Sequence, residues 1–157
     1  MTLGISGHQE LSAEVEAFVK ARLLAELQSL PEALCVSSLA VGADQLFAQT
    51  ALACATPLHV VVPCQHYEET FPSPQALAQY QRLRAQASSA ETLDYDRPGT
   101  AAFLAAGQRV ADLSDKLVAI WDGKPARGEG GTADIVAYAQ QLGKPVLVLW
   151  PSAAPQH

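Results

Sequence analysis

The apolar positions of the chain fall into two kinds of stretch. Short runs are apolar almost throughout, and longer stretches place an apolar residue at every third or fourth position. Because side chains share a face every second residue on a strand and about every 3.6 residues on a helix, the short runs predict strands and the longer stretches predict helices. "PLHVVVP" (57–63) is of the first kind, whereas 12–30 is of the second, with Val15, Val19 and Leu23 on one face.

Across the whole chain this pattern predicts strands that alternate with helices. The predicted strands cover 2–6, 35–41, 57–63, 116–122 and 145–150, with 91–96 as a candidate short edge strand. The predicted helices cover 12–30, 43–55, 75–89, 99–115 and 131–143. This order is typical of an α/β fold of three layers, α/β/α, in which right-handed crossovers connect the strands of a mostly parallel sheet.

Length and composition indicate how these elements are organised. A chain of 157 residues, of which 49% are hydrophobic, suits one domain, which we expect over 1–151 with a flexible tail at 152–157. No apolar run approaches a membrane span and no signal peptide is evident, so a cytoplasmic location is expected. Cys35, Cys54 and Cys64 form neither a CxxC motif nor an even disulfide framework, which favours reduced thiols.

The charge balance argues against a general nucleic-acid binder. The chain carries 10 Lys and Arg against 16 Asp and Glu, a net charge of −6, and its basic residues are scattered. Affinity for a phosphate backbone requires clustered cations that displace counterions. We therefore expect a small molecule as partner, neither nucleic acid nor membrane.

Three glycine-containing loops follow predicted strands. They are "SGHQ" (6–9), "AVGAD" (40–44) and "WDGKPARGEGGT" (121–132). In open α/β sheets, ligands bind outside the carboxyl ends of the strands, at the point where the winding direction reverses. The three loops are therefore expected to meet at one crevice.

The last of these loops has the composition of a phosphate cradle. A helix start exposes unpaired N–H groups and partial positive charge, so an anion docks there if the chain comes close enough. Gly130 and Gly131 provide that clearance, the Thr132 hydroxyl can cap the helix or donate to phosphate, and Lys124 and Arg127 can add charge. The alternative is a plain helix cap with flexible glycines, and both interpretations remain open.

Several segments together resemble the SLOG superfamily of Rossmann-like nucleotide-binding proteins, and the resemblance covers nearly the whole chain. They are "GISGHQ", "SSLAVGADQLFAQTAL", "PLHVVVP", "YEETF" and "LSDKLVAIWDGKPARGEGGTADIVAYAQQLGKPVLVL". The superfamily includes the DNA-processing protein A domain, the LOG-type phosphoribohydrolases and small stand-alone bacterial members. A more distant resemblance is to nucleoside 2-deoxyribosyltransferases. Both imply a nucleotide or nucleoside ligand, and the superfamily's pairing of subunits leaves room for a homo-oligomer.

The candidate binding residues lie in the three loops. They are Gly7, His8, Gln9, Gly42, Ala43, Asp44, Asp122, Gly123, Arg127, Gly130, Gly131 and Thr132. Asp44 can bind ribose hydroxyls or cap its helix. His8 can contact a phosphate or take part in acid-base chemistry. Gln9 can pair with a base or cap the helix that follows.

One departure from the resemblance concerns catalysis. LOG-type enzymes carry a motif similar to Gly-Gly-x-Gly-Thr-x-x-Glu. In this chain the position of its final glutamate is Ile135. Asp134 is the candidate replacement, although it lies about 100° round the helix from position 135 and can equally be a first-turn helix carboxylate. Glu129 and Asp122 are further candidates.

No cofactor or metal is expected. Cys64 and His66 stand two positions apart, but no second pair completes a zinc site. Three functions stay open: a nucleotide-binding or sensing module, which we favour, an N-glycosidic enzyme, and a single-stranded DNA binder. Fold alone does not decide among them.

Overall fold

A computed structural model describes residues 1–125 and 131–152. The strands are β1 (Thr2–Gly7), β2 (Leu34–Ser37), β3 (Leu58–Val62), β4 (Ser89–Thr92), β5 (Lys116–Ile120) and β6 (Val146–Val148). The helices are α1 (Ala13–Gln28), α2 (Ala43–Ala53), α3 (Pro74–Gln86), α4 (Thr100–Leu113) and α5 (Thr132–Gln141), with a short 3-10 helix at Tyr67–Thr70. None of the described helices is long and apolar enough to cross a membrane.

The strands form one sheet in the order β4-β3-β2-β1-β5-β6, and every pairing is parallel. The predicted α/β class is confirmed. An edge strand does follow α3, as β4, but it covers Ser89–Thr92 and shares only 91–92 with the predicted 91–96. From β1 the chain winds outward through β2 and β3 to β4 and then crosses back to β5 on the other side of β1. The winding direction therefore reverses between β1 and β5, where an open α/β sheet has its crevice.

Two hydrophobic layers cover the sheet. One includes Val19 of α1 and Phe47 of α2, both fully buried, and the other includes Val110 of α4 and Ile135 of α5. Because successive side chains of a strand point to opposite faces, Leu117 and Val118 of β5 enter different layers. A sheet buried on both faces accounts for the nearly continuous apolar runs of its strands.

The predicted strand 35–41 is too long. The strand β2 ends at Ser37, because Leu39 takes a left-handed backbone conformation with φ 60° and turns the chain away from the sheet. Leu39 remains fully buried, so its hydrophobicity reflects burial in the core and not strand pairing. Apolar character alone does not distinguish these two situations.

Close packing of α4 on β1 depends on Gly4. A Cβ there would stand 2.8 Å from Val110 Cγ1. We expect Gly4→Ala to lower the free energy of unfolding by about 1–3 kcal/mol in urea titrations, because overpacking forces helix and strand apart. Gly99→Ala is the control, since nothing lies within 4 Å of its added Cβ. Equal effects at the two glycines would show that packing is not the cause.

Candidate functional site

A crevice of about 940 Å³ lies at the carboxyl ends of the strands, across the point where the winding reverses. We call it the switch-point crevice. Its polar lining includes Ser6, His8, Gln9, Asp44, Asp122, Lys124 and Thr132, and its apolar lining includes Tyr67, Phe71, Phe103, Val110, Ile135 and Trp150. The three loops that the sequence predicted to meet each contribute to it.

The turn after β1 and the start of α2 pack directly on each other. The Ala43 N–H donates to the His8 carbonyl over 3.0 Å. A Cβ on Gly7 would stand 2.5 Å from Ala43 Cβ, and one on Gly42, whose φ is +82°, would stand 2.6 Å from the His8 carbonyl oxygen. Glycine at both positions therefore permits this contact. The first amide of α2 is already hydrogen-bonded to a carbonyl of the protein.

A second contact connects the two halves of the sheet. The Asp122 N–H donates to His8 Nε2 over 3.2 Å, and Asp122 Oδ1 lies 3.3 Å from the same nitrogen. A neutral His8 that accepts at Nε2 carries its proton on Nδ1. Protonated His8 can instead form an ion pair with Asp122. The loops after β1 and β5 are thus held together by one imidazole ring.

The Asp122 side chain is only 2% exposed, yet its pKa lies below the usual value for an aspartate. Burial by itself would raise the pKa of Asp122, but the Lys124 N–H, which donates to Oδ1 over 2.9 Å, and the neighbouring His8 ring outweigh burial and hold that pKa below its usual value. Asp122 therefore gives the crevice lining a negative charge near neutral pH.

The pKa of Asp44 is shifted in the opposite direction from that of Asp122. Burial raises its pKa from 3.8 to about 7, and the one opposing contact, from the Ala40 N–H, is a long 3.4 Å hydrogen bond to Oδ2. The Tyr67 hydroxyl next to it donates to the Ser38 carbonyl over 3.0 Å. Near neutral pH, Asp44 therefore exists in both protonation states and can donate or accept a hydrogen bond.

The start of α5 has amides that no described atom satisfies. Gly131 is the N-cap and contributes no side-chain hydrogen bond, and within 1–125 and 131–152 no acceptor contacts the N–H groups of Thr132 or Ala133. By contrast, Ser12 and Ser73 cap α1 and α3, whose starts do not line the crevice. The open amides of α5 border the crevice through Gly131, Thr132 and Ala133.

Next to this helix start, the crevice wall is apolar. Ile135 is 1% exposed and lines the crevice, whereas Asp134 is exposed and does not line it. Gly107 of α4 packs against Ile135, since a Cβ there would stand 2.5 Å from Ile135 Cδ1. The side chain at position 135 thus faces the place where a ligand would bind, and the structure does not bring Asp134 to it.

The candidate residues fall into three groups. Those on the crevice lining are Gly7, His8, Gln9, Asp44, Asp122, Gly131 and Thr132. Those off the lining are Gly42, Ala43, Gly123 and Asp134. Arg127 and Gly130, like Glu129, lie outside the described residues. Among residues 1–125 and 131–152, no three His, Cys, Asp or Glu side chains gather as a metal site requires.

Among the lining residues that sequence reasoning missed are the aromatic side chains of Trp150 and Phe103. Trp150 follows β6 and its ring meets that of His8 edge-on at 5.5 Å, and Phe103 lies in the first turn of α4. Trp150 could have been found from its position at the carboxyl end of a predicted strand. Phe103 carried no such signal, because helix periodicity does not reveal which residues of a first turn face a crevice.

Comparison with known proteins supports the fold. No family model and no curated protein matches the chain. One matching solved structure is that of DNA processing protein A from Helicobacter pylori, with a TM-score of 0.69 and 24% sequence identity. The match covers 100% of this chain and 66% of the Helicobacter protein. The Helicobacter protein has a unique mode of binding single-stranded DNA. The same protein from Streptococcus pneumoniae matches with TM-score 0.70 and 18% identity over 94% of this chain and 49% of that one.

A third solved structure, of the protein TM1055, matches with TM-score 0.61 and 19% identity over 92% of this chain and 71% of that one. The chain spans about two thirds of the Helicobacter protein and half of the Streptococcus protein. These similarities show that it has the Rossmann-like fold of DNA processing protein A, as the resemblance in the sequence implied.

Because the pKa of Asp44 is raised in the folded protein, we expect the free energy of unfolding to depend on pH through this residue. A carboxyl whose folded pKa is about 7 binds its proton more tightly than in the unfolded chain, so its contribution to stability is present below about pH 4 and is lost as the pH rises to 7. Asp44→Asn should therefore stabilise the fold increasingly between pH 4 and pH 7, by at most roughly 4 kcal/mol, since one pKa unit corresponds to about 1.4 kcal/mol.

Urea titrations of both proteins from pH 4 to pH 8 measure this effect. Asp134→Asn is the matched control, because that carboxyl is exposed at the first turn of α5. A stability difference at Asp44 that does not vary with pH would refute the assigned protonation.

Proposed function

We propose that this chain is a nucleotide-binding module that holds its ligand in the switch-point crevice. The observation that carries the proposal is the meeting of three features at one place: the turn after β1, the Asp44 carboxyl and the open amides of α5 all border the same crevice. These groups suit the three parts of a nucleotide, and they lie where open α/β sheets bind such ligands.

The phosphate belongs at the start of α5. The N–H groups of Thr132 and Ala133, which no acceptor within 1–125 and 131–152 contacts, and the partial positive charge of the helix start attract an anion, and Gly131 has no side chain to obstruct the approach. The Thr132 hydroxyl can donate to a phosphate oxygen, and the Lys124 ammonium can add charge.

The sugar and base belong on the other side of β1. Ionised Asp44 can accept hydrogen bonds from ribose hydroxyls, which is the usual role of an acidic residue after the second strand of such a sheet. Beyond Asp44 stands Phe71, whose half-buried ring lines the crevice and can pack on a base, with the buried Tyr67 ring 5.3 Å from it.

Binding without turnover is favoured because Ile135 occupies the position of the glutamate in LOG-type enzymes. A second candidate, cleavage of an N-glycosidic bond, draws support from two carboxyls of opposite character in one crevice. Asp44 has a pKa of about 7 and Asp122 stays ionised, which is the division of roles that acid and base groups need. Released base in a ligand assay would favour this second function.

Single-stranded DNA is the third candidate, since the Helicobacter protein binds it. Lys124 is the sole Lys or Arg among the described lining residues of the crevice. A long polyanion gains affinity from many phosphate contacts, and this crevice provides few. A short ligand fits the charge distribution better.

The phosphate position can be tested with Gly131→Val. We expect nucleoside monophosphates to raise the melting temperature of the unchanged protein and to lose most of that effect in the variant, because the valine side chain blocks the helix start. Gly99→Val is the control, since Gly99 caps α4 and nothing lies within 4 Å of its added Cβ. Undiminished binding by Gly131→Val would move the phosphate elsewhere.

The role of Asp44 makes a separate prediction. At pH 8, AMP should bind roughly 10-fold more tightly than 2′-deoxy-AMP, because a hydrogen bond to a charged group contributes about 1.5–3 kcal/mol. Asp44→Asn should reduce this preference, and lowering the pH to 6 should do the same in the unchanged protein. Isothermal calorimetry measures both. Equal affinity for the two sugars would remove Asp44 from the ribose site.

A further inference from the structure

We propose that the chain carries a second, separate reactive site at the outer edge of the sheet, where Ser89 is a nucleophile toward activated acyl esters. The site consists of Ser89 and Glu91 of β4, His59 of β3 and Arg109 of α4. We call these four residues the edge-strand cluster. None of them lines the switch-point crevice, so the inference goes beyond the proposed function.

The strand register brings the hydroxyl, the imidazole and the carboxylate together. The strands β3 and β4 pair in parallel, with Ser89 opposite His59. Ser89 and Glu91 lie two positions apart on β4 and therefore point to the same face. His59 Nδ1 lies 2.7 Å from Ser89 Oγ, and His59 Nε2 lies 3.7 Å from Glu91 Oε2. The imidazole ring thus stands between a hydroxyl and a carboxylate, as in enzymes that activate a serine for acyl transfer.

Arg109 keeps the carboxylate charged and in place. Its Nε donates to Glu91 Oε1 over 2.7 Å, and its Nη2 donates to Glu91 Oε2 over 3.2 Å. These two hydrogen bonds outweigh burial and hold the pKa of Glu91 below its usual value. Glu91 therefore carries a negative charge near neutral pH.

This charge favours one tautomer of the neutral His59 ring. An unprotonated Nε2 would turn its lone pair toward the carboxylate, whereas a proton on Nε2 is attracted to it, although 3.7 Å is too long for a hydrogen bond. With the proton on Nε2, Nδ1 is the acceptor and the Ser89 hydroxyl is the donor. In this arrangement the imidazole can take the serine proton during nucleophilic attack.

The position of Ser89 leaves it open to a substrate. Ser89 is exposed on an edge strand, while His59 behind it is half-buried. The Ser88 N–H donates to the Leu58 carbonyl, toward β3, so the N–H of the next residue, Ser89, points to the outer edge of the sheet. That N–H can donate to the oxygen of a carbonyl group that the Ser89 hydroxyl attacks.

The reaction has two steps. Ser89 Oγ attacks the ester carbonyl carbon while its proton passes to His59 Nδ1. The tetrahedral intermediate then expels the alcohol or phenol, which takes that proton and leaves Ser89 acylated. In the second step water attacks the acyl group and gives a proton to His59. The carboxylic acid departs as Ser89 Oγ recovers the proton. A small acyl group with a good leaving group suits an edge open to solvent.

The test incubates the full chain with p-nitrophenyl acetate, follows release of p-nitrophenol, and locates the acetyl group by peptide mass spectrometry. We expect a burst of p-nitrophenol and acetyl-Ser89, because the acyl group accumulates when its hydrolysis is slow. An alkyl fluorophosphonate, which loses fluoride to activated serines, should label the same residue. Acetyl groups on lysines alone would overturn the inference.

Two serine variants form a matched pair. Ser89→Ala should abolish the burst and the fluorophosphonate labelling. Ser88→Ala should leave both unchanged, because Ser88 is also exposed but its side chain, one position away, lies on the opposite face of the edge. Equal behaviour of the two variants would show that Ser89 has no special reactivity.

The base is tested with His59→Gln, which should slow acetylation of Ser89 at least about 100-fold, since general-base catalysis contributes this much or more. Urea titrations report whether this variant is folded. Glu91→Gln, on the edge strand, keeps the test open if it is not.

Glu91 is a positioning residue, because it acts through His59. Glu91→Gln should lower the acetylation rate at saturating ester and leave the ester concentration for half-maximal rate unchanged. If Ser89 reacts no faster than Ser88, or if neither His59→Gln nor Glu91→Gln slows its acetylation, the cluster only fastens β4 to α4 and the inference is overturned.

Discussion

The site depends on one close contact, between the turn after β1 and the first residue of α2. It exists because Gly7 and Gly42 have no side chains, which lets the His8 carbonyl accept from the Ala43 amide over 3.0 Å. The contact fixes the backbone of His8, and the His8 ring in turn meets Asp122 from the loop after β5. This contact connects the two halves of the parallel sheet. It does so at the point where the winding direction reverses, between β1 and β5.

This connection divides the electrostatic character of the crevice. Asp122 is stabilised as an anion by the Lys124 amide and the His8 ring, while Asp44, on the other side of β1, has little besides a long hydrogen bond to offset its burial. Two identical functional groups in one crevice therefore differ in charge near neutral pH. The proposed ligand site rests on this contrast and on the start of α5, whose first two amides meet no acceptor among residues 1–125 and 131–152.

Much of the fold could be predicted from the sequence because hydrophobic periodicity is local. The alternation of strands and helices, the parallel sheet and the edge position of the fourth strand were all predicted, and the structure confirms them. The length of β2 was wrong, because Leu39 owes its apolar character to core burial after a turn. The meeting of three glycine loops could also be predicted, since parallel strands end at one edge of a sheet.

The sequence by itself determined which segments form the sheet and which loops lie at its carboxyl edge, because period and turn residues depend on neighbours along the chain. Only the tertiary structure decided which side chains of those loops face the crevice. Ile135 and not Asp134 faces it, and Phe103 and Trp150, 47 residues apart in the sequence, line the same crevice. Such facts depend on the rotation of each helix and on contacts between distant segments, and these are fixed only when the two hydrophobic layers pack against the sheet.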